Sequence, residues 1–442
     1  MKNLLKIDKK IESFNQEITI DGDKSLSIRW ALLASQAKGK SRAYKLLKSE
    51  DVINTLNCLK KLGVKVNFYN SYCEIYGKGL NSYSYKKGLS LNAGNSGTLG
   101  RLLLGLLIHS KEKIKLVGDN SLSKRDFSRV TVPLKRFGAK FSSVNQGKLP
   151  LFVSSTGTSR PIYYLENKGS AQCKSSVMFA ALNTTGETVI KAKKSRDHTE
   201  LLFKHLKIPI SIKKTKKFDI IKINGGKNFS TINYTIPGDI SSSAFFIVLT
   251  ALSKNSKILI KNINVNPSRV GVIKILKKMG IKILIKNIKN YKNEKIADIY
   301  VESANNLKAI NCPANLNSSA IDEFLIIFLV AAKANGISYF KNLSELNQKE
   351  SPRLRWGSKI LNMMGVKTIL TNHSLKIYGN PKLEIKKEII IKEYLKDHRV
   401  FMMSTIAALT CGGQWKIYDK DSINTSFPSF LKIIKEIVRK SS

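Results

Sequence analysis

The chain has 442 residues, of which 42% are hydrophobic and 24% charged, and this length predicts two domains of about 200 residues each. No run approaches the roughly 20 apolar residues of a membrane span, and the start, MKNLLKIDKKIESF, lacks the features of a signal or transit peptide. We therefore expect a cytoplasmic protein without a membrane partner. Five scattered cysteines with no CxxC pair argue against a disulfide framework and a structural zinc site.

The net charge of +45 first suggests a nucleic-acid partner, because basic proteins neutralise phosphates. Only 13 of the 76 basic residues are arginines, however, and the lysines are spread along the whole chain. We interpret them as the lysine bias of an AT-rich genome and expect no nucleic acid to bind. A non-catalytic nucleic-acid-binding protein, which would cluster its basic residues among exposed aromatics, remains a remote alternative.

Six of the arginines fall inside the motifs described below: Arg29, Arg101, Arg125, Arg196, Arg353 and Arg399. Arginine has a planar guanidinium that binds phosphate or carboxylate through two parallel hydrogen bonds, which lysine cannot do. In a lysine-rich chain we therefore expect the remaining arginines to mark anion-binding positions.

One pattern recurs six times along the chain: a turn rich in Gly, Ser and Asn, followed by a strongly apolar helical run. Its instances are GDKSLSIRWALLAS from Gly22, GNSGTLGRLLLGLL from Gly94, GSAQCKSSVMFAAL from Gly169, GDISSSAFFIVLTAL from Gly238, SSAIDEFLIIFLVAA from Ser318 and KDHRVFMMSTIAAL from Lys396. Between them lie alternating Ile/Val/Lys segments typical of strands and a second helical pattern such as EDVINTLNCLKKLG. Each instance therefore predicts one β-α-β-α-β-β module.

The helix starts within these modules predict an anionic substrate. Small residues at a helix start leave backbone N–H groups exposed, with about half a positive charge at that end, and several such ends can form an anion site. The alternative for any one module is an N-capped buried helix, because Ser and Asn commonly cap helices. Five of the six turns carry a charged residue beside them, which favours anion binding.

The charged and polar residues near these turns form the candidate chemistry. The first module reads Asp23-Lys24-Ser25-Leu26-Ser27-Ile28-Arg29, and the second Gly94-Asn95-Ser96-Gly97-Thr98 with Arg101 behind it. The third contains Ser170-Ala171-Gln172-Cys173-Lys174-Ser175, followed by Ser195-Arg196-Asp197-His198-Thr199-Glu200. The fifth places Asp322-Glu323 before a fully apolar run, an unusual position for two carboxylates unless one is functional. Lys349-Glu350-Ser351-Pro352-Arg353 and Asp397-His398-Arg399 follow.

These motifs, in this order and spacing, resemble those of the 5-enolpyruvylshikimate-3-phosphate synthases, from about Asp21 to Pro428. GNSGT and KES-x-R are the most specific of them. The resemblance implies an α/β fold, a two-lobed inside-out α/β barrel of six βαβαββ repeats with three per lobe. It also implies one lobe over residues 21–239 and a second over residues 1–20 and 240–442.

The resemblance also implies the activity: transfer of the enolpyruvyl group of phosphoenolpyruvate to the 5-hydroxyl of shikimate 3-phosphate, through a tetrahedral intermediate and with release of phosphate. It implies a monomer without a metal or organic cofactor. The implied shikimate 3-phosphate ligands are Lys24, Ser25, Arg29, Ser170, Ala171, Gln172, Ser195, Asp322 and Lys349, with Arg196 near the phosphate. The implied phosphoenolpyruvate ligands are Lys24, Asn95, Gly97, Arg125, Gln172, Arg353 and Arg399. Asp322 is implied as the base, and Glu350 and Lys24 as acids.

The sequence departs from the family pattern at several positions. Pro352 replaces the usual acid of the K-E-S-D-R motif, and we expect Ser351 to cap the next helix with Pro352 at its first position. Asn347 stands where an arginine is common, Thr425 where one branch has a lysine, and His198 where many relatives have a tyrosine. The nearest alternative activity is enolpyruvyl transfer to UDP-N-acetylglucosamine, but that enzyme places a reactive cysteine in the segment that here reads GDNSLSKRDFSRV.

Overall fold

The structure is a computed structural model that describes residues 3–441. The chain divides into two compact units. The first unit consists of Gly22–Ile236 together with Tyr291–Glu294. The second unit consists of the chain before Gly22, Pro237–Asn290 and the chain after Glu294. The segment Tyr291–Glu294 lies outside the range 21–239 that we predicted for the first lobe.

Two strands precede the first unit, β1 (Leu4–Ile7) and β2 (Asn15–Thr19). The first module contains α1 (Lys24–Gln36), β3 (Lys38–Tyr44), α2 (Glu50–Lys61), β4 (Lys65–Phe68) and β5 (Tyr72–Lys78). The second contains β6 (Ser90–Asn92), α3 (Gly97–Leu106), β7 (Ile114–Val117), α4 (Asn120–Ser123), α5 (Ser128–Arg136), β8 (Ala139–Ser143) and β9 (Leu151–Ser155). The third contains β10 (Tyr163–Glu166), α6 (Ala171–Leu182), β11 (Gly186–Lys193), α7 (His198–His205), β12 (Ile210–Lys214) and β13 (Phe218–Gly225), and β14 (Tyr234–Thr235) follows it.

The second unit holds the other three modules. The fourth contains α8 (Ile240–Leu252), β15 (Lys257–Asn264), α9 (Gly271–Lys278), β16 (Ile283–Tyr291) and β17 (Glu294–Glu302). The fifth contains α10 (Asn317–Ala320), α11 (Phe324–Ala332), β18 (Ile337–Phe340), α12 (Arg353–Met363), β19 (Thr368–Leu370) and β20 (Leu375–Tyr378). The sixth contains β21 (Glu388–Ile391), α13 (His398–Cys411), β22 (Gln414–Tyr418) and α14 (Phe430–Arg439). Short 3₁₀ helices lie at Ala314–Leu316, Ser344–Gln348 and Lys420–Thr425.

Each module forms its own small sheet, and the six sheets have a common plan. The sheet orders are β14-β3-β5-β4, β6-β7-β9-β8, β10-β11-β13-β12, β16-β17-β15-β2, β18-β20-β19 and β1-β22-β21. In five of them the strand that follows the module's apolar helix pairs in parallel with the module's edge strand, and the remaining pairs are antiparallel. In the fifth, isolated parallel bridges from Lys308 and Asn311 take the place of the first strand.

The first strand of two modules comes from a distant part of the chain. In the first module it is β14, which pairs with β3, and in the fourth it is β2, which pairs with β15. The predicted α/β fold of six modules is therefore confirmed. The first and fourth modules have exchanged one strand each: β2, which precedes α1, belongs to the fourth module, and β14, which precedes α8, belongs to the first.

The apolar helix that follows the repeated turn of each module (α1, α3, α6, α8, α11 and α13) is largely buried, and its composition explains why. All nine residues of α11, FLIIFLVAA, are buried, and a helix that is apolar all round belongs in a core. The second helix of a module is amphipathic: α14 buries Phe430, Ile433, Ile434 and Ile437 on one face. Across residues 3–441, no helix has both the length and the apolar character needed to span a membrane.

Candidate active site

Helix α1 carries three of the predicted residues of the first unit: Lys24, Ser25 and Arg29. Asp23 caps the helix by accepting a hydrogen bond from the Leu26 backbone N–H at 2.8 Å, so Lys24 is the first helical residue. The Lys24 Nζ lies 3.0 Å from Asp51 Oδ2. Lys24 is half-buried and Asp51 is buried, so the ammonium has a fixed anionic partner. Nothing in the sequence pattern indicated that Asp51 would hold Lys24.

Arg29 lies further along α1 and is only 3% exposed. Its Nε donates to Thr199 Oγ1 at 2.9 Å and its Nη2 to Ser175 Oγ at 3.1 Å. Its Nη1 donates to the Ser25 carbonyl at 3.1 Å. The guanidinium therefore connects α1 to α6 and α7, and a contact between Arg29 and shikimate 3-phosphate stays a prediction.

Gln172, in the first turn of α6, contacts the second module. Its Oε1 accepts a hydrogen bond from Arg101 Nη1 at 2.6 Å, and its Nε2 donates to Thr98 Oγ1 at 3.0 Å. Because both partners lie on α3, these two hydrogen bonds fix the orientation of the Gln172 amide. The structure therefore brings the starts of α3 and α6 together at a residue predicted to contact both substrates.

Arg125 and Asn95 form a second contact within the second module. Arg125 Nη2 donates to Asn95 Oδ1 at 3.0 Å, and Asn95 Nδ2 donates to Asp119 Oδ2 at 2.5 Å. Asp119 also caps α4 by accepting from the Leu122 N–H at 2.7 Å. Asp119 thus sets the direction of the Asn95 amide, which in turn presents its oxygen to the arginine. The adjacent Gly97 is buried.

Ser170, Ala171 and Ser195 are half-buried in the third module. Ser170 is the N-cap of α6, and its Oγ accepts from the Cys173 N–H at 3.3 Å. The preceding turn is held by the Glu166 carboxylate, which accepts from the N–H groups of Lys168 and Gly169. Burial raises the pKa of Glu166, and these N–H donors act against the rise. Within residues 3–441 the buried Ser195 Oγ has no hydrogen-bond partner.

In the second unit, Asp322 lies between two cations. Its Oδ1 is 3.2 Å from Lys349 Nζ and 3.3 Å from Arg353 Nη1. Arg353 Nη2 also hydrogen-bonds Glu350 Oε2. Burial alone would lower the pKa of Arg353, but the carboxylates of Asp397, Glu350 and Asp322 raise it above its ordinary value. Arg353 therefore stays charged and compensates both predicted catalytic carboxylates.

Asp397 is fully buried and organises this cluster, a role that its motif in the sequence did not indicate. It accepts from Arg353 Nε at 2.8 Å, from Ser351 Oγ at 2.9 Å and from the Arg399 backbone N–H at 3.0 Å. The last contact makes Asp397 the N-cap of α13. One carboxylate thus fixes both the KES-x-R turn and the start of the sixth module's helix.

The expected role of Ser351 as a helix cap is wrong. Helix α12 begins at Arg353, and Pro352 itself occupies the N-cap position. The Pro352 carbonyl accepts the first helical hydrogen bond from the Trp356 N–H at 3.0 Å, and the Ser351 hydroxyl instead donates to Asp397. Pro352 suits this position for two reasons. Its ring fixes φ, here −70°, and the N-cap position does not require the backbone N–H that proline lacks.

Arg399 and His398 begin α13 and are both buried. Arg399 Nη1 donates to the Asp322 backbone carbonyl at 2.9 Å and lies 3.9 Å from Glu323 Oε1. His398 Nδ1 is 3.2 Å from Thr425 Oγ1, so the threonine that replaces a lysine of one branch contacts this histidine. The predicted residues of the second unit therefore form one connected cluster, with Asp322 and Arg353 at its centre.

Comparison with known proteins matches residues 9–434 to the sequence model of the family described as EPSP synthase (3-phosphoshikimate 1-carboxyvinyltransferase). The chain belongs to this family. It is 38% identical over 431 residues to the 3-phosphoshikimate 1-carboxyvinyltransferase of Ruthia magnifica, covering 97% of each chain. It is also 38% identical over 416 residues to that of Thermoanaerobacter sp., covering 94% of this chain and 96% of the relative.

Solved structures lead to the same family. The chain superposes on EPSP synthase from Acinetobacter baumannii with a TM-score of 0.84 and 31% sequence identity, covering 98% of both chains. It superposes on the enolpyruvyl transferase NikO from Streptomyces tendae with a TM-score of 0.76 at 13% identity, covering 98% of this chain and 97% of the other. The second likeness shows the fold alone. The chain is thus an enolpyruvyl transferase of the EPSP synthase family.

Two further residues of the family motifs have roles that the sequence left open. His198, where many relatives have tyrosine, is buried, and its Nδ1 lies 2.6 Å from Glu294 Oε1. Glu294 is 96 positions away in the sequence, so no local pattern could indicate this pair. Cys173 is buried, and burial raises the pKa of its thiol, so the thiol form is favoured. All five cysteines are buried and unbridged.

Proposed function

We propose that the chain transfers the enolpyruvyl group of phosphoenolpyruvate to the 5-hydroxyl of shikimate 3-phosphate and releases inorganic phosphate. The observation that carries the proposal is the charge arrangement at Asp322. Its carboxylate contacts Lys349 and Arg353, and its backbone carbonyl holds Arg399. A base placed among three cations suits the removal of a hydroxyl proton beside a substrate that brings both a carboxylate and a phosphate.

The proposed reaction begins with Asp322. Asp322 accepts the 5-hydroxyl proton while that oxygen bonds to C2 of phosphoenolpyruvate. Glu350 or Lys24 gives a proton to C3, which becomes a methyl group, and the product is a tetrahedral ketal phosphate. A base then removes one C3 proton as the bond between C2 and the phosphate oxygen breaks. This second step forms the enolpyruvyl ether and inorganic phosphate.

Arg353 connects this chemistry to binding of phosphoenolpyruvate. In the structure its guanidinium hydrogen-bonds Glu350, and a carboxylate held in this way favours the ionised form. The anionic groups of phosphoenolpyruvate compete for the same guanidinium. When they take over this hydrogen bond, Glu350 can more readily carry the proton that C3 receives.

We further propose which residues bind each substrate. Phosphoenolpyruvate binds to Lys24, Asn95, Gly97, Arg125, Gln172, Arg353 and Arg399. Shikimate 3-phosphate binds to Lys24, Ser25, Arg29, Ser170, Ala171, Gln172, Ser195, Asp322 and Lys349. At an effective dielectric constant of about 20, unit charges about 4 Å apart interact by roughly 4 kcal/mol, so each cation contributes substantially to binding of these anions.

The assay that tests the reaction compares two acceptors. Phosphate release from phosphoenolpyruvate is measured with shikimate 3-phosphate and, separately, with UDP-N-acetylglucosamine. We expect release only with shikimate 3-phosphate. Release only with the nucleotide sugar would replace our proposal by the sister activity.

The role of Asp322 is tested by Asp322→Asn, which keeps the size of the side chain but removes the proton acceptor. We expect kcat to fall by about 10²–10⁴-fold, the usual contribution of one general acid or base, with both KM values changing much less. Steady-state kinetics with each substrate varied in turn measure this split. A variant with the wild-type kcat would remove Asp322 from the mechanism.

A further inference from the structure

Glu323 directly follows the proposed base and takes no part in the reaction proposed above. Its side chain is fully buried at the start of α11, whose nine residues are all buried. Burying a carboxylate in apolar surroundings is costly unless it is hydrogen-bonded and its charge is compensated. The contacts of Glu323 therefore indicate what the carboxylate does.

One side of the carboxylate is fixed by the fourth module. Ser241 Oγ donates a hydrogen bond to Glu323 Oε1 and accepts one from Arg269 Nη2 at 2.7 Å. Arg269 is 2% exposed and also donates to Asp239 Oδ1 at 3.2 Å. Asp239 in turn caps α8 through the Ser241 N–H at 2.8 Å. Glu323 is thus anchored through a serine to a buried arginine and a helix cap.

The other contact of Glu323 Oε1 is Arg399, whose Nη1 lies 3.9 Å away. The same nitrogen donates to the Asp322 backbone carbonyl at 2.9 Å. Arg399 Nη1 is therefore held by two consecutive residues. Asp322 accepts its hydrogen bond through the backbone carbonyl, and Glu323 attracts it through the charge of the carboxylate. Arg399 is the largely buried cation that we assigned to phosphoenolpyruvate.

We propose that Glu323 is a positioning residue for phosphoenolpyruvate binding: it supplies the buried negative charge that directs Arg399, and Ser241 and Arg269 hold Glu323 in place. This inference rests on the proposed function, because it requires Arg399 to bind phosphoenolpyruvate. A neutral residue at 323 would remove the negative charge that lies 3.9 Å from Arg399 Nη1. Arg399 would then lose the partner that sets its orientation.

The test uses Glu323→Gln, which keeps the shape and the ability to accept from Ser241 but removes the charge. We expect KM for phosphoenolpyruvate to rise about tenfold, in line with the loss of one charge-assisted contact. KM for shikimate 3-phosphate should change less than about twofold. Glu323→Asp keeps the charge, so its effect on KM for phosphoenolpyruvate should be clearly smaller than that of Glu323→Gln.

The matched control is Asp298→Asn. Asp298 is also a buried carboxylate of the second unit, but its partners are Lys261, Asn262 and Asn287, none of which we assign to a substrate. We expect Asp298→Asn to lower the unfolding temperature and leave both KM values unchanged. A rise in KM for phosphoenolpyruvate in this control would mean that any buried charge loss has the same effect, which would overturn the positioning role.

Ser241→Ala and Arg399→Ala complete the design. Should Glu323→Gln not fold, Ser241→Ala decides, because it removes only the hydroxyl that holds Glu323. An unchanged KM for phosphoenolpyruvate in Glu323→Gln, or in Ser241→Ala where that variant decides, overturns this inference while Arg399→Ala still raises the KM. An unchanged KM in Arg399→Ala instead contradicts the proposed function of Arg399 itself. Equal rises in both KM values also count against positioning.

Discussion

Position 97 requires glycine because of the neighbouring side chains and not because of its backbone conformation. A β-carbon built on Gly97 would lie 3.0 Å from Nη1 of both Arg101 and Arg125, and its φ lies outside the left-handed region. Alanine can therefore adopt the backbone conformation, but its methyl group displaces the ends of two flexible arginines. Arg125 is a proposed phosphoenolpyruvate ligand, and Arg101 holds Gln172.

We therefore expect Gly97→Ala to raise KM for phosphoenolpyruvate by about three- to tenfold while changing the free energy of unfolding by less than about 1 kcal/mol. KM for shikimate 3-phosphate should change less. Steady-state kinetics and urea unfolding of the same preparation measure the two effects. A large loss of stability with an unchanged KM would show that the methyl group disturbs the helix and not the two arginines.

The contacts between residues also show which part of the site the sequence could predict and which part it could not. Lys24, Asn95, Gln172 and Arg353 could be selected because each lies in a short motif of unusual composition. Their partners could not be selected in this way. Asp51 contacts Lys24 from the following helix, and Asp397 reaches Arg353 across 44 positions. The one local sign was that Asp397 directly precedes an apolar helical run, as an N-cap does.

At the scale of elements, the small polar residues at the repeated helix starts act first as caps. In five of the six modules the cap side chain accepts a backbone N–H: Asp23, Ser96, Ser170, Asp239 and Asp397. Each cap satisfies one of the four N–H groups that a helix start leaves unpaired, so fewer donors remain for an anion. The side-chain cations consequently carry more of the proposed binding than the helix starts do.

Ser96 gives a test at this scale, because it caps α3 by accepting from the Leu99 N–H at 3.2 Å and is not among the proposed ligands. We expect Ser96→Ala to lower the free energy of unfolding by about 1 kcal/mol. Ser96→Thr keeps a capping hydroxyl without adding a charge at this fully buried position, so it should recover part of that loss. Urea unfolding of the three proteins measures the difference; equal stabilities would mean that the cap contributes nothing to α3.

The six modules were predictable because each repeats the same physical pattern, an apolar buried helix flanked by alternating strands. The strand exchange was not, because β2 pairs with β15 and β14 with β3 across more than 190 positions. The composition of β2 or β14 does not indicate which strand it pairs with. Pairing at that distance depends on how whole modules pack, which a local pattern does not contain.

At the scale of the whole molecule, the main feature is the excess of positive over negative charge. The chain has 76 basic and 31 acidic residues, so most basic side chains have no acidic partner available, and like charges repel one another across the surface. Such repulsion destabilises a compact state. Salt weakens it because the Debye length falls from about 10 Å at 0.1 M to about 3 Å at 1 M.

We therefore expect the unfolding temperature to rise between about 0.02 and 0.5 M NaCl, because screening reduces this repulsion. Over the same range kcat/KM for both proposed anionic substrates should fall several-fold, since screening also weakens their attraction to the protein. Thermal unfolding and initial rates at each salt concentration measure the two trends. Choline chloride at equal ionic strength is the control, and it should act as NaCl does if screening is the cause. An unfolding temperature that falls with salt would mean that attractive ion pairs, and not the excess of lysine, dominate the electrostatics of the folded protein.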